Sequence, residues 1–137
     1  MCIRDSYNSS FVENSSPGGS SMFLDWMYSM NHCLLVWGDS PPSQGDGSGM
    51  IVTCNDLFGN IGGDYTGPMS GYLGLDGNFQ ADPQFCGITD GYLALQSDSP
   101  CAPENSPCPN ELIGALPVGC GEQAAQAKSW GAVKRLY

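Results

Sequence analysis

The feature that most constrains the fold is a short repeat in the first half of the chain. Residues 8–14, 33–39 and 54–60 align with offsets of 25 and 21 residues. Offsets of this size are typical of a parallel β-solenoid, in which equivalent residues of successive passes stack at the ~4.8 Å spacing of neighbouring strands. The competing interpretation is a chance alignment of short apolar runs in a β-sandwich. The repeat therefore favours parallel stacking and leaves the sandwich open.

Three columns of equivalent residues define the expected register. Two of them are apolar, with the members Phe11, Val36 and Leu57 in one, and Val12, Trp37 and Phe58 in the other. A third column lies at the turn that follows, with the members Asn14, Asp39 and Asn60. Asn and Asp suit a turn because they tolerate left-handed backbone and bond neighbouring amides. We therefore expect the first apolar column to point inward, and Cys33 to stack on Cys54.

Length and composition agree with one turn-rich β domain. The chain has 137 residues, with 19 glycines and 10 prolines, which is enough for a single modest domain. Apolar residues come in short bursts separated by turn residues, a pattern typical of strands. No stretch approaches the ~20 apolar residues of a membrane span, so we expect no membrane-spanning segment.

Charge excludes one class of partner. The net charge is −10, and the basic residues are confined to Arg4, Lys128, Lys134 and Arg135. Nucleic-acid affinity comes largely from Lys and Arg displacing counterions from phosphates, and residues 5–127 contain neither. We therefore expect no nucleic-acid partner.

Seven cysteines in so short a chain favour disulfides and an oxidising compartment, either secreted or at the cell surface. Zinc sites usually show paired Cys-x-x-Cys or Cys/His spacings, which are missing here. Cys86, Cys101, Cys108 and Cys120 allow three pairings. We favour Cys101 with Cys108, which closes a Pro-rich loop, and Cys86 with Cys120. A third candidate pair is Cys33 with Cys54, although both could instead be buried thiols.

A resemblance to a known family lies mainly in the second half. Its segments are residues 55–60, 62–65, 77–86, 91–101 and 112–120. They resemble the closing region of secreted bacterial right-handed parallel β-helix repeat proteins of the pectate-lyase-like and polymorphic-outer-membrane-protein-like group. The resemblance implies an all-β, right-handed parallel β-helix (solenoid) with a C-terminal capping region. In such a cap Pro83 would stop strand pairing, Phe85 would plug the core, and Asp82 would cap the turn.

The resulting organisation has four parts. Residues 1–6 match the translation of a transposon-end sequencing adapter, and we expect them to be an artefact; the alternative is a natural N-terminal strand. Residues 7–75 would form β-helix coils, residues 76–121 a closing cap with disulfides, and residues 122–137 a tail. The composition of that tail is consistent with either a short amphipathic segment or a sorting signal. The chain would then be a C-terminal fragment, with the rest of the parent β-helix upstream.

The resemblance says little about catalysis. Lyases of this family remove a proton with Arg or Lys, which residues 5–127 lack, and the related hydrolases use clustered aspartates. Asp39, Asp56 and Asp64 form the only plausible cluster, and turn aspartates are usually backbone caps. We therefore predict no catalytic residue, no cofactor-binding residue and no dedicated metal ligand. Calcium at residues 46–49, or around Asp76, Asn78 and Asp82, is a further hypothesis.

Three functions follow from these features. We favour a non-catalytic extracellular or cell-surface β-helix scaffold that binds carbohydrate or cell-surface components, as an adhesin does. Its candidate sugar-stacking residues are Trp26, Tyr28, Trp37, Tyr65 and Tyr72. The alternative is a polysaccharide-degrading β-helix enzyme, hydrolase or lyase, whose catalytic coils are mostly missing from this fragment. A purely structural closing module comes third.

Overall fold

The computed structural model describes residues 5–15, 22–23 and 29–121. These residues form ten short strands: β1 Asp5–Tyr7, β2 Ser10–Val12, β3 Met22–Phe23, β4 Ser29–Asn31, β5 Leu34–Val36, β6 Ser43–Gln44, β7 Ile51–Thr53, β8 Asp56–Phe58, β9 Phe85–Gly87 and β10 Tyr92–Leu95. Two single-turn 3-10 segments complete the regular structure, Gly67–Met69 and Ile88–Asp90.

The strands assemble into four small sheets. Two are three-stranded and parallel, in the orders β1-β4-β7 and β2-β5-β8, and β3 with β6 forms a third parallel pair. The fourth sheet is the antiparallel pair of β9 with β10. Successive passes of the chain therefore lie side by side through the first half, and the second half packs around them.

The expected right-handed parallel β-helix with a C-terminal cap is wrong. The strands form separate short sheets, and the described residues contain no closed solenoid. A solenoid needs every pass to add a strand to each sheet, yet β3 pairs only with β6. After β8, no further strand of the described chain joins the parallel sheets, and the chain contacts them through an isolated bridge between Asp56 and Phe79 and through single backbone hydrogen bonds. It then continues through turns into the antiparallel pair.

The repeated segments do pair in parallel, but one residue away from the expected register. Phe11 lies beside Leu35, and Leu35 lies beside Leu57. Val36 instead pairs with Val12 and Phe58. Because alternate residues of a strand point to opposite faces, this shift moves Val36 to the other side of the sheet.

The same shift changes the polar column. Asp39 does not join Asn14 and Asn60: its backbone N–H donates to the carbonyl of Asn14 (3.1 Å), and its carboxylate accepts from the Ser15 hydroxyl (2.6 Å). The N–H of Gly38 donates to Oδ1 of Asn60 (2.9 Å). The turn column therefore has a glycine where the repeat alignment placed Asp39.

Strand β5 is buried on both faces and separates two apolar clusters. Leu35 packs into the first cluster with Leu57 and Met30, which belong to the two three-stranded sheets. Leu34 and Val36 pack into the second, against residues contributed by the C-terminal half such as Phe85, Leu95 and Ile113. A strand covered on both sides is apolar at every position, as Leu34–Val36 is.

Three buried side-chain amides close the turns between passes. Asn55 accepts from the N–H of Cys33 (2.9 Å) and donates to the carbonyl of Met30 (2.8 Å). Asn60 likewise accepts from the N–H of Gly38 (2.9 Å) and donates to the carbonyl of Leu35 (2.8 Å). In the last repetition Asn78 accepts from the N–H of Asn55 (3.1 Å) and donates to the carbonyl of Val52 (2.8 Å).

Each N–H that these amides accept belongs to the residue after one with left-handed backbone. His32, Trp37 and Cys54 have φ values of 57°, 54° and 57°. A non-glycine residue in this region carries a cost of roughly 1–2 kcal/mol. The next backbone N–H would be buried without a partner if the asparagine were missing. The amides therefore stabilise turns that the backbone alone would not favour.

We predict that Asn55→Ala lowers the free energy of unfolding by about 3–5 kcal/mol, since it strands a buried N–H and a buried carbonyl. Urea denaturation followed by tryptophan fluorescence measures the change. Asn105→Ala is the matched control, because Asn105 is exposed and donates to the carbonyls of Ser97 and Ser99. It should cost less than about 1 kcal/mol. Equal losses in the two variants would contradict the role given to Asn55.

Candidate functional site

Among the described residues, one group of His and Cys side chains close enough to share an ion lies at the turn between β4 and β5. His32 and Cys54 occupy equivalent positions in adjacent passes, and the N–H of His32 donates to the carbonyl of Thr53 (3.1 Å). Cys54 forms a disulfide with Cys108, with a Cα separation of 6.0 Å. Glu111 Oε2 contacts His32 Nε2. We call His32, Cys54, Cys108 and Glu111 the turn cluster.

The C-terminal segment holds the turn cluster together. The N–H of Gly114 donates to the carbonyl of His32 (2.8 Å), and the N–H of Ala115 donates to the hydroxyl of Ser10 (2.9 Å). Ile113, between Leu112 and Gly114, is fully buried in the second apolar cluster. The segment that carries Cys108 and Glu111 is therefore fixed by bonds that do not involve the disulfide.

The disulfide prediction is confirmed in its general form, and the pairing differs in part. Cys86 bonds to Cys120 as expected, with a Cα separation of 5.2 Å. Cys108 bonds to Cys54 rather than to Cys101. Cys33 and Cys101 are buried free thiols. The parallel register places His32, not Cys33, beside Cys54, which accounts for the absence of a bond between Cys33 and Cys54.

The second candidate is a buried carboxyl–thiol pair. Asp56 is fully buried; its Oδ1 accepts from the N–H of Ala81 (2.9 Å) and its Oδ2 from the thiol of Cys101 (3.2 Å). Burial raises the pKa of Asp56 from 3.8 to about 7, with the charges of Asp64 and Asp82 as smaller causes. Burial also raises the pKa of the Cys101 thiol, and the neighbouring Asp56 raises it further. The pair is thus a protonated thiol beside a carboxyl group that titrates near neutrality.

The three aspartates considered for hydrolysis do not share an accessible groove. Asp56 has no exposed surface through which a substrate could reach it, and Asp64 is buried. The carboxylate of Asp64 accepts from the N–H groups of Gly59 (3.2 Å) and Asn60 (2.8 Å), as a turn cap does. Asp39 is exposed at another turn.

The candidate sugar-stacking residues are engaged in the fold where the structure describes them. Trp37 packs edge-on against Phe58 and Phe85, with ring centroids 6.4 and 5.8 Å away. The hydroxyl of Tyr65 donates to the carbonyl of Phe79 (2.6 Å), and that of Tyr72 to the carbonyl of Met50 (3.3 Å). Trp26 and Tyr28 lie outside the described residues. Sugar stacking by these five side chains stays a prediction.

The two candidate calcium loops hold internal bonds. The hydroxyl of Ser48 donates to the carboxylate of Asp46 (2.7 Å), and Asp82 accepts from the N–H of Gln84 (2.9 Å). The side-chain oxygen of Asn78 is used by Asn55. Within the described ranges, no acid of either loop belongs to a group of three His, Cys, Asp or Glu side chains close enough to share an ion.

Sequence reasoning missed the outward surface of the β1-β4-β7 sheet. Ser6, Met30 and Val52 point inward and are buried. The alternate positions on these strands point outward, and we call them the outer face: Asp5, Tyr7, Ser29, Asn31, Ile51 and Thr53. Tyr7 is 63% exposed and Ile51 is 60% exposed. The polar–apolar alternation of Ser29–Asn31 is the signal that could have identified this surface.

We predict that Asp56 makes the stability depend on pH. The folded-state pKa of about 7 exceeds the unfolded value of 3.8, so the folded state holds the proton more tightly. The stabilisation is complete below ~pH 4 and is lost as the pH rises through 7, by up to about 4 kcal/mol. Asp56→Asn keeps an acceptor for Ala81 and cannot ionise. Between pH 4 and 8 the free energy of unfolding of the parent protein should therefore fall, and that of Asp56→Asn should rise relative to it.

Chemical denaturation of both proteins at several pH values measures this difference. Asp98→Asn, at an exposed carboxylate that does not act on Asp56, is the control and should show no such gain. Parallel curves for the parent protein and Asp56→Asn would contradict the assignment.

Comparison with protein-family models, with curated proteins and with solved structures finds no match to this chain. In the described part of the chain, no helix has both the length and the apolar character needed to cross a membrane. The two disulfides are typical of an oxidising, extracellular environment. The family resemblance seen in the sequence stays a prediction.

Proposed function

We propose that this chain is a non-catalytic extracellular or cell-surface module that contacts neutral carbohydrate through its outer face. The observation that carries the proposal is the exposed Tyr7 ring on a sheet surface that also presents hydroxyl and amide groups and the Asp5 carboxylate. The ring packs edge-on against His32, with centroids 5.1 Å apart. A ring held in one orientation loses little entropy when it stacks on a ligand.

The polar groups of the outer face suit a sugar. Thr53 Oγ1 donates to Asn31 Oδ1, which leaves the Asn31 amide N–H groups available to a ligand. Equivalent positions on parallel strands repeat at ~4.8 Å, so the face presents donors and acceptors in a regular row. Aromatic rings supply apolar contact beside such groups, as in other polar recognition sites.

Charge selects the kind of carbohydrate. The described residues carry carboxylates and no Lys or Arg. Such a surface repels polyuronates and sulfated glycans, whereas neutral chains escape the repulsion. The non-catalytic part of the proposal is supported by Asp56 and Asp64, which are buried and bonded within the fold.

The test is retention of the oxidised chain on cellulose, chitin and polygalacturonate, with chain cleavage assayed in parallel. We expect retention on a neutral polymer, weakened roughly tenfold by Tyr7→Ala, as the loss of one aromatic contact of about 1 kcal/mol or more would give. Leu75→Ala, which removes an exposed apolar side chain outside the outer face, should leave retention unchanged. Retention that survives Tyr7→Ala, or cleavage abolished by Asp39→Asn, would refute the proposal.

A further inference from the structure

The turn cluster contains a third potential metal ligand, His32, beside the two cysteines of the disulfide. One nitrogen of His32 and the sulfurs of Cys54 and Cys108 lie within 4.8 Å of one another, which is close enough to share one metal ion. The His32 side chain is 9% exposed. Its Nδ1 is buried and has no hydrogen-bond partner. A buried imidazole nitrogen without a partner is costly unless something binds it.

We infer that the turn cluster binds Zn²⁺ when the Cys54–Cys108 disulfide is reduced. Imidazole nitrogen and two thiolates are the donors that zinc prefers, and four-coordinate zinc leaves one further position. The contact between Glu111 and His32 Nε2 suits a carboxylate that accepts the Nε2 proton. The lone pair of Nδ1, which has no hydrogen-bond partner, is then available to bind a metal.

The chemistry balances with a dithiol as reductant. The dithiol gives two electrons and two protons to the S–S bond and becomes a cyclic disulfide, while Cys54 and Cys108 become thiols. Zn²⁺ then displaces both thiol protons and forms two Zn–S bonds. In oxidising surroundings the disulfide occupies the sulfurs, so Cys54 and Cys108 alternate between a covalent crosslink and a metal crosslink that also includes His32.

The ligands keep their places after reduction because other bonds hold them. Gly114 bonds to the carbonyl of His32, and Ala115 bonds to Ser10. Cys54 lies one pass away from His32 in the paired strands. Gly77 also borders both sulfurs: a Cβ there would lie 2.4 Å from Cys108 Sγ and 3.0 Å from Cys54 Sγ. The backbone thus passes beside the sulfurs where no larger residue fits.

Cobalt substitution tests the site directly. After reduction by dithiothreitol and its anaerobic removal, we expect one Co²⁺ per chain, with tetrahedral visible bands and sulfur-to-cobalt charge transfer, displaced by Zn²⁺. The oxidised protein should show neither band. Cys54→Ser and His32→Gln should lose or weaken the spectrum, whereas Cys120→Ser, which breaks the other disulfide, should retain it.

A second measurement on the unsubstituted protein covers variants that fail to fold. Reduced protein is alkylated with iodoacetamide with and without Zn²⁺, and each cysteine is followed by mass spectrometry. We expect zinc to slow alkylation of Cys54 and Cys108 roughly tenfold or more, and to leave Cys86 and Cys120 unaffected. Equal protection of both pairs, protection of neither, or an unchanged cobalt spectrum in Cys54→Ser would overturn the inference.

Discussion

The hydrogen bonds of three buried asparagine amides are the constraint on which the parallel half of the molecule depends. Asn55, Asn60 and Asn78 each accept an N–H from the previous pass and return a bond to a carbonyl three residues before that N–H. A shift of one residue would leave both backbone groups buried without partners. The amides therefore fix the register as well as closing the turns.

The register also determines which reactive side chains lie next to one another. It sets His32 beside Cys54 and lets β5 face two apolar clusters at once. The second cluster gives the C-terminal half a surface to pack on, and Cys108 and Glu111 arrive at the turn with that half. The turn cluster and the outer face are linked through one residue. His32 belongs to the cluster, and its ring also packs against the Tyr7 ring.

The sequence could predict strands, turns, disulfides and parallel pairing of the repeats, since apolar bursts separated by turn residues are local signals. It could not settle the register. Leu34, Leu35 and Val36 are all buried, so this strand has no alternation to show which side chain faces which cluster. An error of one residue there put Cys33 where His32 lies, and so hid the turn cluster.

For a different reason, the sequence could not predict that the described sheets stay separate, or that Cys54 bonds to Cys108. Both depend on where the chain goes after Phe58, and turns rich in glycine do not encode long-range direction as strongly as paired strands do. The cysteines lie 54 residues apart, and only the return of residues 108–115 to the β4–β5 turn brings them together. Spacing alone favoured the nearer partner, Cys101.

Native-state hydrogen exchange, resolved by residue, tests the central claim that buried amides hold the passes in register. The account predicts that the backbone N–H groups of Cys33, Gly38 and Asn55, which donate to side-chain oxygens, exchange as slowly as the N–H groups within β5. They should open only with global unfolding. Exchange of these three amides at the rate of exposed turn amides, such as that of Gly71, would contradict it.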